Sequence, residues 1–374
     1  MCDTLVEVFL RRRRLRCAAV LAVVALVEAS TLADDCAAGP RAPSVKVAAR
    51  RGSRHAEAGP GADARHRPDN QFWLVSTRHL PHDRAPRPDE LQPHVWRQDQ
   101  RSGLRTSTLD ELFDANDPRL ATTVLVHGND TDHELAIAKG LKVYQELGGK
   151  APGSPLRLIV WSWPSDHIPG SIRRDVRIKA RRAEIDAHYL AAFVERLDGR
   201  SASLVGYSFG ARTITGALHL LGGGRLDGRA LPAQQAESPP RLRAILLAAA
   251  VDDDWLLPGR PHGRALNAVE QFAVLVNPDD RVLRFYRFLS PGGDCQALGT
   301  SGFKDTAQLG DDKQKVVQIN VAGAVGNKHG WTTYIAAPTV VGHVKRFALF
   351  DADRTSAVPM NAGKSGRGNQ ASGG

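Results

Sequence analysis

The residues with the clearest chemical content are Gly206-Tyr207-Ser208-Phe209-Gly210, a G-x-S-x-G run. A serine hydroxyl is a weak nucleophile by itself. It becomes a useful one where a sharp turn lifts it clear of the backbone and a base can take its proton. On a strained strand-to-helix turn, a side chain two positions before or after the nucleophile would strike neighbouring backbone, which explains glycine on both flanks. In a chain with 35 glycines the five letters say little alone, and a serine capping a glycine-rich helix start would read the same way. What surrounds the run therefore matters more than its letters. No CxxC, HExxH or clustered His/Cys spacing accompanies it, so neither a metal nor a cofactor has support.

The surrounding pattern alternates short apolar runs with helical ones. Strands are expected at 72–76 (FWLVS), with 94–97 pairing against it, and at 122–126 (TTVLV), 156–161 (LRLIVW), 204–207, 244–251 (AILLAAAV), 272–276 (FAVLV) and 316–320 (VVQIN). Between them, 134–147 reads as a helix, and Val176, Ala183, Ala187, Leu190, Val194 and Leu197 put one face of a long helix on the core. A helical run follows Ser208 over 211–221, and 340–349 suits a closing helix. Continuous apolar strands separated by helices imply an α/β domain with a mostly parallel central sheet covered on both faces. Function in such sheets collects at the carboxyl ends of the strands, and Ser208 stands at one of them.

With this setting the chain resembles the α/β-hydrolase superfamily over about residues 70–350, and more narrowly a bacterial subgroup of it with no assigned substrate. The resemblance implies a Ser–acid–His order along the chain. His127-Gly128-Asn129 matches the family's HG motif, which implies an oxyanion hole from the amides of Asn129 and Phe209; His127 itself reads as structural. The acid should follow a later strand, where Asn277-Pro278-Asp279-Asp280-Arg281 stands. Asp280 is favoured because the subgroup's acid precedes an apolar pair by two residues, here Val282-Leu283. Asp279 and the Asp252 to Asp254 cluster stay open, and an N-capped helix start with Pro278 in its first turn would explain the same string. The base is expected to be His329, in the loop Gly326-Asn327-Lys328-His329-Gly330 after the last strand. His343 lies in the closing helical pattern and His262 precedes the acid, so both fit less well.

The ends of the chain read differently from its middle. Arg11, Arg12, Arg13, Arg14 and Arg16 followed by the apolar run Cys17 to Val27 have the form of a secretory signal over residues 1–33, too short to span a membrane and expected to be cleaved, with Asp34 first in the mature chain. Residues 34–69, rich in Ala, Arg, Gly and Pro, read as a linker, 70–352 as one hydrolase domain and 353–374 as a disordered tail. Of four cysteines, Cys36 and Cys295 would remain after cleavage, and one disulfide is permitted but not required. An exported (periplasmic or extracellular) protein with no stable membrane anchor follows.

The formal charge of +10 is spread along the chain. Arg173, Arg177 and Arg181, spaced by four, share a helical face that reads as solvated, although Arg173 and Arg174 in the first turn could favour acidic substrates. No recognition motif or stacking platform supports nucleic-acid binding. About 20 residues after Val251 leave no room for a large cap domain, so the site should be open, with Trp163, Ile168, Trp255 and Leu256 as candidates for an apolar rim. Such a rim suits an acyl group, so a small carboxylic ester is the expected substrate. A peptidase or acyltransferase using the same residues, or a non-catalytic binding protein on the same fold, are the other classes.

Overall fold

The computed structural model describes residues 69–349 apart from 100–102, 116, 149–154, 198–199, 233–238 and 289–294. The residues read as leader (1–33), nearly all of those read as linker, with Cys36, and those read as tail lie outside the described residues. Nine strands form one sheet in the order β3-β2-β1-β5-β4-β6-β7-β8-β9: β1 Gln71–Ser76, β2 His94–Asp99, β3 Gly103–Ser107, β4 Ala121–Val126, β5 Leu156–Ser162, β6 Ser201–Tyr207, β7 Arg241–Leu247, β8 Gln271–Val276 and β9 Val316–Asn320. All pairs from β1 to β9 are parallel, and β2 alone runs against its neighbours β1 and β3. The central strands β4, β5 and β6 are buried almost end to end, as continuous Val/Leu/Ile runs require when both faces are covered.

The helices are α1 Leu109–Asp114, α2 His133–Gly148, α3 Ile172–Glu195, α4 Phe209–Leu221, α5 Leu298–Ser301, α6 Ala322–Val325, α7 Trp331–Ala336 and α8 Pro338–Ala348. Register shows which face each covers. Leu158, paired with Phe72 and Thr123, lies on the face that meets α2 and α8: Thr123 Oγ1 donates to the Ala348 carbonyl, and a side chain at Gly140 of α2 would strike Val160. Trp161, one residue along the strand from Val160, faces the other way and packs on Phe193 of α3, while Ile214 of α4 lies against Gly206. The expected core stripe of α3 is present, with Ala183, Ala187, Leu190 and Val194 buried; Val176 is half-buried, and Leu197 falls beyond the helix end.

Two departures from the sequence reading have local causes. The strand expected over 244–251 stops at Leu247, because Ala248 takes a positive φ of 47° and the chain turns to brace Ser208: Ser208 N–H donates to the Leu247 carbonyl at 3.0 Å and Ala250 N–H to the Ser208 carbonyl at 3.2 Å. Strand β3 and helix α1 were not expected. The first is a half-exposed edge strand of mixed polarity, and the second is a six-residue helix set by Thr108, whose hydroxyl accepts from Glu111 N–H. Between β7 and β8, residues 248–270 carry turns and one short 3₁₀ segment, Ala265–Ala268.

Candidate active site

Ser208 stands between the end of β6 and the start of α4 with φ 53° and ψ −117°, a conformation L-residues rarely adopt. The glycines around it are fixed by contact. A Cβ on Gly210 would sit 2.2 Å from the Val126 carbonyl oxygen and 2.7 Å from that of His127, and one on Gly206 would lie 3.0 Å from Ala211 Cα. A Cβ on Gly128 would lie 2.9 Å from the Tyr207 ring and 3.0 Å from Ser208 Cβ. Two loops that carry expected site residues thus touch backbone to backbone. The elbow lies at the carboxyl end of a central parallel strand, flanked by the ends of β4 and β7. The chain has the α/β-hydrolase fold.

Ser208 Oγ lies 3.1 Å from His329 Nε2, and His329 Nδ1 lies 2.8 Å from Asp280 Oδ2. Asp280 is fully buried, and its other oxygen accepts from the amides of Val282 and Leu283 at 3.0 and 2.9 Å. Asp280 therefore starts the short helical segment Leu283–Phe288 with one oxygen and reaches the imidazole with the other. A carboxylate so placed accepts Nδ1–H and leaves the Nε2 lone pair toward the serine hydroxyl. Asp279 points outward and pairs with Arg284 at 3.1 Å. Asp252 accepts from the buried Tyr286 hydroxyl at 2.6 Å, and Asp253 is engaged by Ser301 and Lys304. His262 is buried against Thr215, and His343 sits in α8.

Among the described residues, neither the Asn129 nor the Phe209 backbone N–H has an acceptor; Phe209 is the first residue of α4, where no intrahelical partner exists. The loop carrying Asn129 is held from several sides. His127 is buried, with Nδ1 2.9 Å from the Gly128 carbonyl and Nε2 3.5 Å from Arg78 Nη2. Burial, then the Arg78 charge, push its pKa well below that of an exposed imidazole, so the ring is neutral, donates from Nδ1 and has a structural place. Lys179, fully buried, reaches Asp130 at 2.5 Å and Asp175 at 2.8 Å and so ties the loop to α3.

Several residues to which the sequence assigned no such part brace the histidine loop. The Tyr207 hydroxyl donates to the His329 carbonyl, and its ring packs on Trp331 with centroids 4.9 Å apart. Asn277 Nδ2 donates to the Gly326 carbonyl at 2.9 Å, and Arg281 N–H to that of Asn327 at 3.2 Å. Tyr207 lies inside the G-x-S-x-G run, yet that pattern leaves its position free. The apolar rim needs correction: Trp163 and Leu256 are core residues, and Trp163 donates its indole N–H to the His127 carbonyl. Trp255 is half-buried beneath the Arg212 guanidinium. Ile168 is half-buried, its amide held by Asp175.

No protein-family model matches the sequence, and neither does any curated protein sequence. Among solved structures, a protein described as a cell surface hydrolase from Lactobacillus plantarum WCFS1 is 12% identical over 62% of this chain and 92% of its own, with a TM-score of 0.35. Esterase B from Lactobacillus rhamnosis is 9% identical over 76% and 89%, also with a TM-score of 0.35. The catalytic core of acetyl xylan esterase from Trichoderma reesei is 14% identical over 60% and 98%, with a TM-score of 0.29. At these TM-scores the likeness carries no argument about activity, and the fold rests on the chain's own geometry.

Proposed function

We propose that this chain is a serine hydrolase of carboxylic esters, with Ser208 as nucleophile, His329 as general base and Asp280 as the acid that orients it. The observation that carries the reading is the unbroken path of hydrogen bonds from Ser208 Oγ through the imidazole to a buried carboxylate. Ser208 Oγ attacks the ester carbonyl carbon while its proton passes to His329 Nε2. The oxygen that gains charge is met by the amides of Asn129 and Phe209, and Asp280 stabilises the imidazolium. As the C–O bond to the alcohol breaks, Nε2 returns the proton to the leaving oxygen and the acyl group stays on Ser208. Water then attacks the acyl carbon with its proton taken by Nε2, and the acid departs as Ser208 regains its hydrogen. Residues 1–33, read as a cleaved leader, make it an exported enzyme, which an N-terminal sequence beginning at Asp34 in the secreted protein would support.

Labelling with a fluorophosphonate and turnover of short-chain aryl esters test the reading. The parent should react with the probe, Ser208→Ala should lose both labelling and turnover with its melting temperature retained, and His329→Ala should lose several orders of magnitude in kcat. Labelling or turnover that survives in Ser208→Ala overturns it.

A further inference from the structure

Away from Ser208, His329 and Asp280, none of which lines it, an open cavity of about 570 Å³ lies between the segment after β1, the end of β5 and the exposed side of α3. Its wall carries four guanidinium groups, Arg78, Arg177, Arg181 and Arg182, against the single carboxylate of Asp83. Arg177 and Arg181 are four residues apart on one helix. A like-charged pair at that spacing opposes helix formation, so the arrangement is not one that helix stability selects.

Each arginine has a different state of attachment. Arg78 is fixed at three points: Nε donates to Ser162 Oγ at 2.8 Å, Nη1 to Asp166 at 2.6 Å and Nη2 to the Thr131 carbonyl at 2.6 Å. Arg181 pairs with Asp227, and Arg182 Nη1 donates to the Pro164 carbonyl at 3.2 Å. Among the described residues, neither Arg177 nor Arg182 has a carboxylate within salt-bridge distance. Among the described residues, two guanidinium groups of the cavity wall therefore have no ion-pair partner, and one of them is already oriented by a backbone carbonyl. Guanidinium forks present paired N–H donors matched to phosphate oxygens, and a tetrahedral phosphate can accept from several directions at once. A cavity of this volume is within the range of small-ligand sites.

We propose that this cavity is a binding site for a phosphate group, held by Arg177 and Arg182 with Arg78 and Arg181 at its sides. The same chemistry is offered by free phosphate or phosphomonoesters and by the headgroup of an anionic lipid.

Two probes separate these sources. The full chain is titrated with inorganic phosphate at low ionic strength by calorimetry, and sedimented with phosphatidylcholine vesicles with and without phosphatidylglycerol. The variants are Arg177→Ala/Arg182→Ala, both at the surface of α3, and Arg173→Ala, an exposed arginine of the same helix outside the cavity. The double variant should bind at least ten-fold more weakly, and Arg173→Ala should match the parent, with all three melting alike. Saturable phosphate binding with that pattern supports a soluble ligand; capture only by phosphatidylglycerol vesicles with the same pattern supports a lipid headgroup. Absence of binding to both probes, equal binding by parent and double variant, or an equal loss in Arg173→Ala overturns the proposal.

Discussion

Replacing Gly210 with alanine tests whether the elbow and the Asn129 loop form one mechanical unit. The added methyl would lie 2.2 Å from the Val126 carbonyl oxygen and 2.7 Å from the His127 carbonyl oxygen, where ordinary contact begins near 3.4 Å. Both obstacles are backbone, so no side chain can swing away, and one loop must retreat from the other by about 1 Å, a displacement that can cost on the order of 10²-fold in rate. Overpacking of a tight interior contact typically costs about 1–3 kcal/mol. For a domain of this size that corresponds to a fall in Tm of several degrees, at roughly 2–4 °C per kcal/mol. The expected result is a drop of about 10²-fold in kcat/KM per folded molecule together with a lower Tm. Gly342→Ala is the control: it lies in α8, a Cβ there meets nothing within 4 Å, and alanine should stabilise the helix by roughly 0.5–1 kcal/mol without touching turnover. Parent-like kcat/KM and Tm in Gly210→Ala would refute the steric argument, and a loss of stability alone would show that the two loops are not coupled in catalysis.

Three further outcomes follow from the same geometry. Asp280→Asn retains an oxygen for the Val282 and Leu283 amides but cannot hold Nδ1–H in the same way, so kcat should fall by up to ~10⁴-fold at nearly constant Tm, whereas the exposed Asp279→Asn should match the parent; similar rates for both would remove Asp280 from its role. Tyr207→Phe deletes the hydrogen bond to the His329 carbonyl, worth roughly 0.5–1.5 kcal/mol, and should lower kcat several-fold with KM little changed; an unaltered kcat would mean that the loop is held by Asn277 and Arg281 alone. Burial holds His127 and His262 neutral in the fold, well below the 6.5 of an exposed imidazole, so the unfolded chain binds more protons as pH drops and the stability present above about 6.5 is lost below it. The urea midpoint should fall between about pH 7 and 5.5, and less steeply in His262→Gln; a midpoint flat over that window contradicts this.

Much of the sheet was legible because its strands carry the burial pattern in their own composition. TTVLV, LRLIVW and FAVLV are continuous apolar runs, and a strand covered on both faces needs nothing else to declare itself. What escaped lacks such a pattern. GLRTS pairs at an edge through backbone hydrogen bonds, which any residues supply, and LDELFD is too short for a helical period to emerge. The overextended reading of AILLAAAV failed for the opposite reason. Its apolar character continues past Leu247 because Ala248 to Val251 are buried around the elbow, so the same hydrophobicity marks a turn as well as a strand.

The site divides along a similar line between chemistry and support. Ser208 and His329 are named by motif and loop position, but the choice of Asp280 over Asp279 depends on which way the chain turns after Asn277, since adjacent residues in a turn point to different sides. Asn277 fixes this. Its carbonyl accepts the Asp280 amide and its side chain the Asp279 amide, which sends Asp280 inward and leaves Asp279 to Arg284. The helix start and the contact with the imidazole thus belong to one arrangement, in which Asp280 Oδ1 is caught by two amides while Oδ2 is aimed at His329. The braces from Tyr207, Arg281 and Lys179 act across separations of 46 to 122 residues or through backbone carbonyls, for which a single sequence carries no sign. A triad can therefore be proposed from residue types in order, while the rigidity that would make it work is a property of contacts that only the folded chain brings together.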